Sequence, residues 1–299
     1  MLDPKVSTLL TVYELGSFTK AAEALSLTQP AVSQHIKQLE KSLGIKIFVR
    51  GENKLKLTSE GEVILLFAQR MRDLCDNMKQ TLKDQARHIS RLSVGLTRTA
   101  EMNIMADVLA KYCNEQDNVR FKIITDSIGN LYDMLKTYKI DIAIVEGHIP
   151  ENNFNHITLD TDYLALAVSN DNPLAKKDIV TLPELQQQKM ILRLPDSSTR
   201  SIFISYLESN NMSIDDMNVI LEVDNIATIK DFVKNNFGVS ILAKSTCLEE
   251  LKKGMLTLLP VENLTMSREM NIVYHKDFVH QDILVDVTKM YYEAVNRYK

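Results

Sequence analysis

The chain has 299 residues, 45% of them hydrophobic, with 35 basic against 39 acidic side chains and a formal net charge of −4. That length accommodates one small and one larger domain with cores of their own, and no apolar run approaches the roughly 20 residues of a membrane span. Three cysteines, Cys75, Cys113 and Cys247, are odd in number and far apart, which argues for reduced, buried thiols and against a disulfide framework or a metal cluster. Met1-Leu2-Asp3-Pro4-Lys5 is not followed by an unbroken apolar region, so no signal peptide and a cytoplasmic location are expected.

Taken in chain order, Val6, Leu9, Leu10 and Tyr13 share one face of a first helix. The stretch from Ser17 to Glu40 then carries more information than any other. Phe18, Ala21, Ala22 and Leu25 recur at three and four residues and predict a second, short helix. Ala21 and Ala22 are small enough for another helix to cross closely. Thr28 suits an N-cap, and Pro30 falls in the following first turn, where its missing N–H is not needed. Val32, Ile36, Leu39 and Leu43 repeat at four, three and four, and Gly44 supplies the stop.

Gln29, Ser33, Gln34 and Lys37 lie off that apolar stripe. Glutamine can both donate to and accept from an adenine edge, serine can contact bases or phosphate, and lysine finds phosphates. With Ser17 and Thr28 at the helix starts and Pro30 beside them, these residues are the candidate DNA contacts of a helix-turn-helix. An ordinary helix pair with a solvated polar face is the alternative. His35 sits beside the stripe, within reach of phosphate.

Ile45 to Arg50 and Lys54 to Leu57 flank Gly51-Glu52-Asn53, a hairpin signal. Arg50, Lys54 and Lys56 place positive charge on it, as a wing along a phosphate backbone requires. Residues 1–58 hold eight basic against five acidic side chains, net +3, which leaves net −7 for the rest. The positive end is modest, so dimerisation and base contacts are expected to supply affinity alongside electrostatics.

Ser17-Phe18-Thr19-Lys20-Ala21-Ala22, Thr28-Gln29-Pro30-Ala31-Val32-Ser33, Ile36 to Glu40, Leu43-Gly44, Phe48-Val49-Arg50 and Leu57 to Gly61 together resemble the N-terminal domain of LysR-type transcriptional regulators. The resemblance runs without a gap over about the first sixty residues and, more weakly, over the whole chain. It implies a winged helix-turn-helix reading a near-palindromic double-stranded operator, a dimerising linker helix, and a two-lobed effector domain similar to periplasmic binding proteins. A tetramer comes from the resemblance alone.

From Thr58 to about His88 the chain reads as one long helix, with Ser59 and Glu62 as a capping box. Ile64, Phe67, Met71, Leu74 and Met78 alternate at three and four residues, the seam of a coiled coil. Packing on its own domain is the other reading of such a stripe.

After Ser90 the pattern alternates between strand and helix: Leu92–Thr97, Met102–Cys113, Phe121–Thr125, Asn130–Tyr138 and Ile140–Val145. A second unit follows, with strands near Tyr163–Ser169, Met190–Arg193, Val219–Asp224 and Val239–Leu242 and helices near Thr199–Ser209 and Asn225–Asn236. Asn225 suits the N-cap of the last helix and Gly238 lies past its end. Parallel sheets with helices on their faces are expected, followed by a strand at Asn271–His275 and a helix from Gln281 to Tyr298. The fold class is therefore α/β with an N-terminal winged helix-turn-helix. Its domains are 1–58, a linker helix at 59–89, and 90–299, in which lobe I is about 90–161 and 267–299 and lobe II about 162–266.

Two α/β units without a catalytic signature point to a ligand cleft at the carboxyl ends of the strands. Thr97, Arg98 and Thr99 follow the first strand and Ser127 the second; Ser197, Ser198, Thr199 and Arg200 open a helix in the second lobe. Hydroxyls, N–H groups and a guanidinium at a helix start form an anion site, although a plain capped helix with Arg200 in solvent explains the same residues. Relatives commonly carry a glycine-containing Gly-Ser-Gly-Thr-like run here, and Asp196 and Glu101 add negative charge. A small carboxylate, phosphate or sulfur oxyanion is the expected effector, with no cofactor and no metal. His275 and His280 lack the spacing of a zinc site. An enzyme with an appended winged helix would need a base, nucleophile or metal that the sequence does not offer, and a purely architectural DNA-binding protein leaves some 200 residues of α/β chain unexplained.

Overall fold

The structure, a computed structural model, describes residues 2–50, 55–85, 89–147, 149, 154–262 and 266–296. The chain divides into two compact units: Met1–Arg91 with Asp133–Ile140, and Leu92–Tyr132 with Asp141–Lys299.

The first unit begins with α1 (Pro4–Leu15), α2 (Phe18–Ala24) and α3 (Gln29–Leu43), followed by two short strands, β1 (Phe48–Arg50) and β2 (Leu55–Leu57). Each helix starts on a local cap: the side chains of Asp3, Ser17 and Thr28 accept from the backbone amides of Lys5, Lys20 and Ala31. Buried Leu9 and Leu10 of α1 meet Ile36 of α3 in one small core, and Val12 of α1 meets Ala21 and Ala22 of α2 and Val32 of α3 in a second, with Phe18 and Phe48 packed against both. The alanines lie at 4% exposure or less, as close helix crossing requires. Leu43 departs from the expected stripe. It is 46% exposed because α3 has run past the core by its last turn, and Gly44 closes the helix there.

The wing strands pair antiparallel with Phe48 opposite Leu57. The turn at 51–54, with Lys54, lies outside the described residues, as does the side chain of Arg50. Helix α4 (Ser59–Gln85) follows directly. Its cap is not the expected Ser59–Glu62 box. Thr58 fills the position, its hydroxyl accepting from Gly61 N at 2.8 Å and donating to Lys46 O at 2.6 Å, while Ser59 donates to Glu60. A Cβ on Gly61 would lie 2.3 Å from Ile47 O, so only glycine lets α4 start this close to β1. Ile64 packs with buried Leu65 and Ala68 against the small core, and so does not belong to the outward stripe. That stripe is Val63, Phe67, Met71, Leu74, Met78 and Leu82, each between 46% and 61% exposed.

The second unit is built on a seven-stranded sheet. Its strands are β3 (Ser90–Leu96), β4 (Val119–Thr125), β5 (Ile142–Glu146) and β6 (Phe154–Val168), with β9 (Ser240–Ala243), β10 (Thr257–Leu259) and β11 (Ser267–His275). Between them run α5 (Arg98–Glu101), α6 (Met105–Glu115), α7 (Ile128–Lys136), α8 (Leu182–Gln186), β7 (Met190–Arg193), α9 (Ser198–Ser209), β8 (Val219–Val223), α10 (Ile226–Lys234) and α11 (Leu248–Lys252), and α12 (Gln281–Asn296) ends the described chain.

Here the expectation of purely parallel sheets is corrected. β3 and β5 are parallel, but β6 and β11 run antiparallel to each other along nine paired positions, with a register shift at Met270/Asn271. β6 is fifteen residues long. Its first half pairs with β11 and its second half with β9 and β10, so one strand threads two α/β lobes. The first lobe packs α6 and α12 on the sheet through buried Met105, Leu109, Tyr112, Ile283, Leu284 and Tyr291. The second packs α9 through Phe203 and Leu207, both fully buried, each contributing about 1.5–3 kcal/mol of transfer free energy. β7 and β8 form a parallel pair in this lobe. Helix α10 starts on the Asn225 cap as expected. Its end is turned by Asn236 at φ 57°; Gly238 serves a different need, since a Cβ there would lie 2.6 Å from Lys189 O.

Among the described residues no helix is long and apolar enough to cross a membrane, and no three His, Cys, Asp or Glu side chains gather as a metal site. The three thiols are free; Cys247 is buried, but Cys75 and Cys113 are only half-buried.

Candidate functional site

Two surfaces carry the chemistry. The first is α3. Val32, Ile36 and Glu40 face inward, which turns Gln29, Gln34 and Lys37 to solvent, with Ser33 half-exposed. Gln29 Nε2 donates to Ser33 Oγ at 2.9 Å, so these two groups on one turn present a joined polar edge. Ser17 and Thr28 are spent on their caps, which positions the two helix starts. The Nδ1 of His35 lies 2.8 Å from Thr8 Oγ1, tying α3 to α1.

Glu40 carries no local sequence signal for a functional role, yet it fixes the wing. Its carboxylate accepts from Ile47 N at 3.0 Å and from Lys46 Nζ at 2.8 Å. Burial pushes its carboxyl up, but the Lys46 ammonium and the backbone N–H bonds outweigh burial and hold it below its ordinary value.

The second surface is a cavity of about 30 Å³ in the second unit, walled by the carboxyl ends of strands. Thr97, Arg98 and Thr99 follow β3, Asp126 and Ser127 follow β4, and Glu146 ends β5. Arg193 ends β7, and Asp196, Ser197 and Ser198 lead into α9. Six of the eight expected effector residues therefore converge. Thr199 and Arg200 do not line the cavity. Thr199 is 4% exposed, and the Arg200 guanidinium is drawn away to Glu222 at 2.5 Å and to Arg193 O at 3.1 Å.

Of the six, some are already engaged. The Thr97 hydroxyl accepts from Ala100 N at 3.1 Å and donates to both Glu146 oxygens, at 2.7 and 2.9 Å. Ser197 caps α9 by accepting from Arg200 N, and Ser127 accepts from Asn130 N at 3.4 Å. Arg98 pairs with Asp224 at 2.7 Å, joining the loop after β3 to the loop after β8. Thr99 remains buried against the cavity at 5% exposure.

The strongest charges are residues the sequence analysis did not single out. Arg193 is 5% exposed, its Nε has no hydrogen-bond partner among the described residues, and its Nη2 stands 3.8 Å from Asp224. Burial lowers its pKa, and the nearby Arg98 and Arg268 charges act in the same direction. Arg268, on β11, donates to Ser198 Oγ at 2.5 Å and to Thr199 Oγ1 at 3.3 Å. Its Nε and Nη2 are buried without hydrogen bonds, and Nη2 is 3.9 Å from Asp162, beyond bonding distance. Burial raises the Glu146 carboxyl, against the pull of Arg268 and of the Thr97 hydroxyl. An apolar strand ending in an acid, Ile142 to Glu146, and a strand ending in Arg193 were visible local signals. Arg268 had none, because it arrives through the register of β11 against β6, where it sits opposite Asp162.

Buried guanidinium N–H groups without acceptors carry a free-energy cost unless an acceptor arrives. Two cationic side chains, Arg98 and Arg193, line the cavity with hydroxyls and a helix start, beside the carboxylates of Asp126, Glu146 and Asp196; guanidinium and helix-start N–H groups are donors that suit a small anion.

Comparison with known proteins matches a family model to each part of the chain. The model described as "Bacterial regulatory helix-turn-helix protein, lysR family" matches residues 5–62, and "LysR substrate binding domain" matches residues 85–284. A probable RuBisCO transcriptional regulator from Phaeodactylum tricornutum is 28% identical, over 87% of this chain and 86% of its own. Full-length CbnR complexed with its target DNA superposes with a TM-score of 0.67 at 16% identity, covering 99% of both chains. The regulatory domain of CcmR from Synechocystis PCC6803, in complex with 2-PG, superposes with a TM-score of 0.60 at 19% identity, over 67% of this chain and 96% of that one.

Proposed function

The chain belongs to the LysR family of transcriptional regulators, whose members are regulators and not enzymes, and on that premise we propose how its residues divide the work. Residues 1–58 bind operator DNA, 59–89 dimerise, and 90–299 receive the effector. Gln29, Pro30, Ser33, Gln34 and Lys37 meet the major groove, with Ser17 and Thr28 setting the helix starts, and Arg50 and Lys54 hold the backbone beside the wing. The outward stripe of α4 buries itself against a second copy, which places two recognition helices on a near-palindromic site. The work is done in the cytoplasm, where the DNA is.

The effector is a small anion received by Arg193, Arg98, Thr99 and Ser198, with Arg268 anchoring Ser198 from behind. The 2-PG complex of the Synechocystis neighbour is in keeping with an anionic ligand. One observation carries the assignment: the Arg193 guanidinium, 95% buried, faces the cavity with an unpartnered Nε. A cavity of about 30 Å³ holds a group the size of one or two waters. A larger effector therefore enters with the walls moved apart, and the resulting difference between bound and free states is what biases DNA binding.

Melting of the full chain with phosphate, sulfate and small carboxylates tests the site. At one hundred times Kd, binding adds about 2.7 kcal/mol, so at least one anion is expected to raise the Tm by a few degrees. Arg193→Gln removes the rise. Equal shifts in the variant would place the anion elsewhere.

A further inference from the structure

Three acids, Asp126, Glu146 and Asp196, line the cavity, where an anion receptor has no use for one, and Glu146 alone among them is buried. Glu146 is 2% exposed and lines the cavity together with Arg193. Its only hydrogen-bond donor among described side chains is the Thr97 hydroxyl, whose single proton is shared between the two oxygens. A carboxylate offers about four acceptor sites, so the Thr97 hydroxyl and the backbone amide of Glu146 itself leave Glu146 room for a further donor. No Lys, Arg or His among the described residues lies within ion-pairing distance of it, since the pairs of Arg98, Arg193 and Arg268 go to Asp224 and Asp162. The same small space therefore contains an unsatisfied N–H donor, Arg193 Nε, and a buried carboxylate, Glu146, with room to accept a further hydrogen bond.

A simple oxyanion would complete only one half of that set. It would answer the guanidinium and add a second negative charge next to a buried carboxylate. Like charges in a low-dielectric space repel strongly. A ligand with an anionic group at one end and an N–H or O–H donor at the other completes both halves. We propose that the effector is such a two-ended molecule, a small anion that also carries a hydroxyl or ammonium group, and that Glu146 accepts that group while Arg193 holds the anion. The proposal rests on the anion-site reading above and narrows it from any small anion to hydroxylated or zwitterionic ones. Glu146 is then the specificity-determining residue: it rejects the plain anion that lacks the donor, because burying an unpaired polar group is costly for both partners.

Calorimetric titration of the full chain with matched ligands tests it. The sets are acetate, glycolate and glycine, and ethyl phosphate against phosphoethanolamine. The wild-type chain is expected to bind a donor-bearing member at least tenfold more tightly than its plain analogue in one set, and Glu146→Gln is expected to bring that ratio to within threefold of one. The wild-type ratio stands on its own should the variant fold poorly. Plain and donor-bearing anions binding within threefold of each other in every set would overturn the proposal, as would a wild-type preference that Glu146→Gln retains. No binding by any anion, or Arg193→Gln binding as wild type does, would instead overturn the anion-site reading on which it stands.

Discussion

Glu40 shows how much of this fold turns on single polar groups placed between elements. Its carboxylate, with a side chain 10% exposed, satisfies the buried Ile47 amide at the entry to the wing. Glu40→Ala leaves that amide without an acceptor, a loss of about 1–3 kcal/mol. Hydrogen exchange at Ile47 is expected to quicken accordingly, while exchange in the α9 core of the other unit stays unchanged. The sign of the pH dependence follows from its depressed pKa. The folded state binds fewer protons than the unfolded state near the ordinary value of 4.5, so the stabilisation is present above that pH and is lost as pH falls through the lower folded value. Ile47 protection is expected to weaken on acidification below about 4.5 in the native chain and to vary less in Glu40→Ala. At this scale the sequence was legible wherever the interaction is local. Thr28 and Asn225 cap where their residue types predict, because a cap needs only a side chain and an amide three residues on. Glu40 to Ile47 and Arg268 to Ser198 span 7 and 70 residues, and no local pattern encodes such partners.

Elements were legible by period and misread where one element does two jobs. The heptad-like stripe of α4 was visible, but Ile64 shares its spacing with Phe67 and Met71 and still turns to the DNA-binding core. Periodicity gives a face without saying what covers it. The exposed remainder, Phe67 through Leu82, is the surface that the proposed dimer buries. Leu74→Glu, at 46% exposure, places a charge in that seam; sedimentation is expected to show a shift toward smaller species, whereas Leu74→Met leaves the assembly intact. An unchanged distribution in Leu74→Glu would remove α4 as the interface. β6 was underestimated for a related reason. Phe154 to Thr161 alternates weakly and carries Asn155, His156 and Asp160, so only its apolar second half, from Tyr163, read as strand.

For the whole molecule, the arrangement joins a reader to a receptor. The proposed reader lies in α3 and its wing, the proposed receptor in the ends of β3, β5 and β7, and each belongs to its own compact unit. The order of domains and the two-lobed receptor were legible because each lobe repeats strand-helix alternation. The charge logic of the cavity was not, because Arg193, Glu146 and Arg268 meet only after β6 and β11 have crossed between the lobes. Coupling between ligand and DNA is a free energy typically of 1–3 kcal/mol, or 5–150-fold in affinity. The most direct measurement is the affinity of the full chain for an operator selected in vitro, with and without an anion that binds it, in wild type and in Arg193→Gln. A shift of about fivefold or more in the wild type, absent in the variant, is predicted; an operator affinity that ignores the bound anion, or a variant that responds like the wild type, would contradict the account.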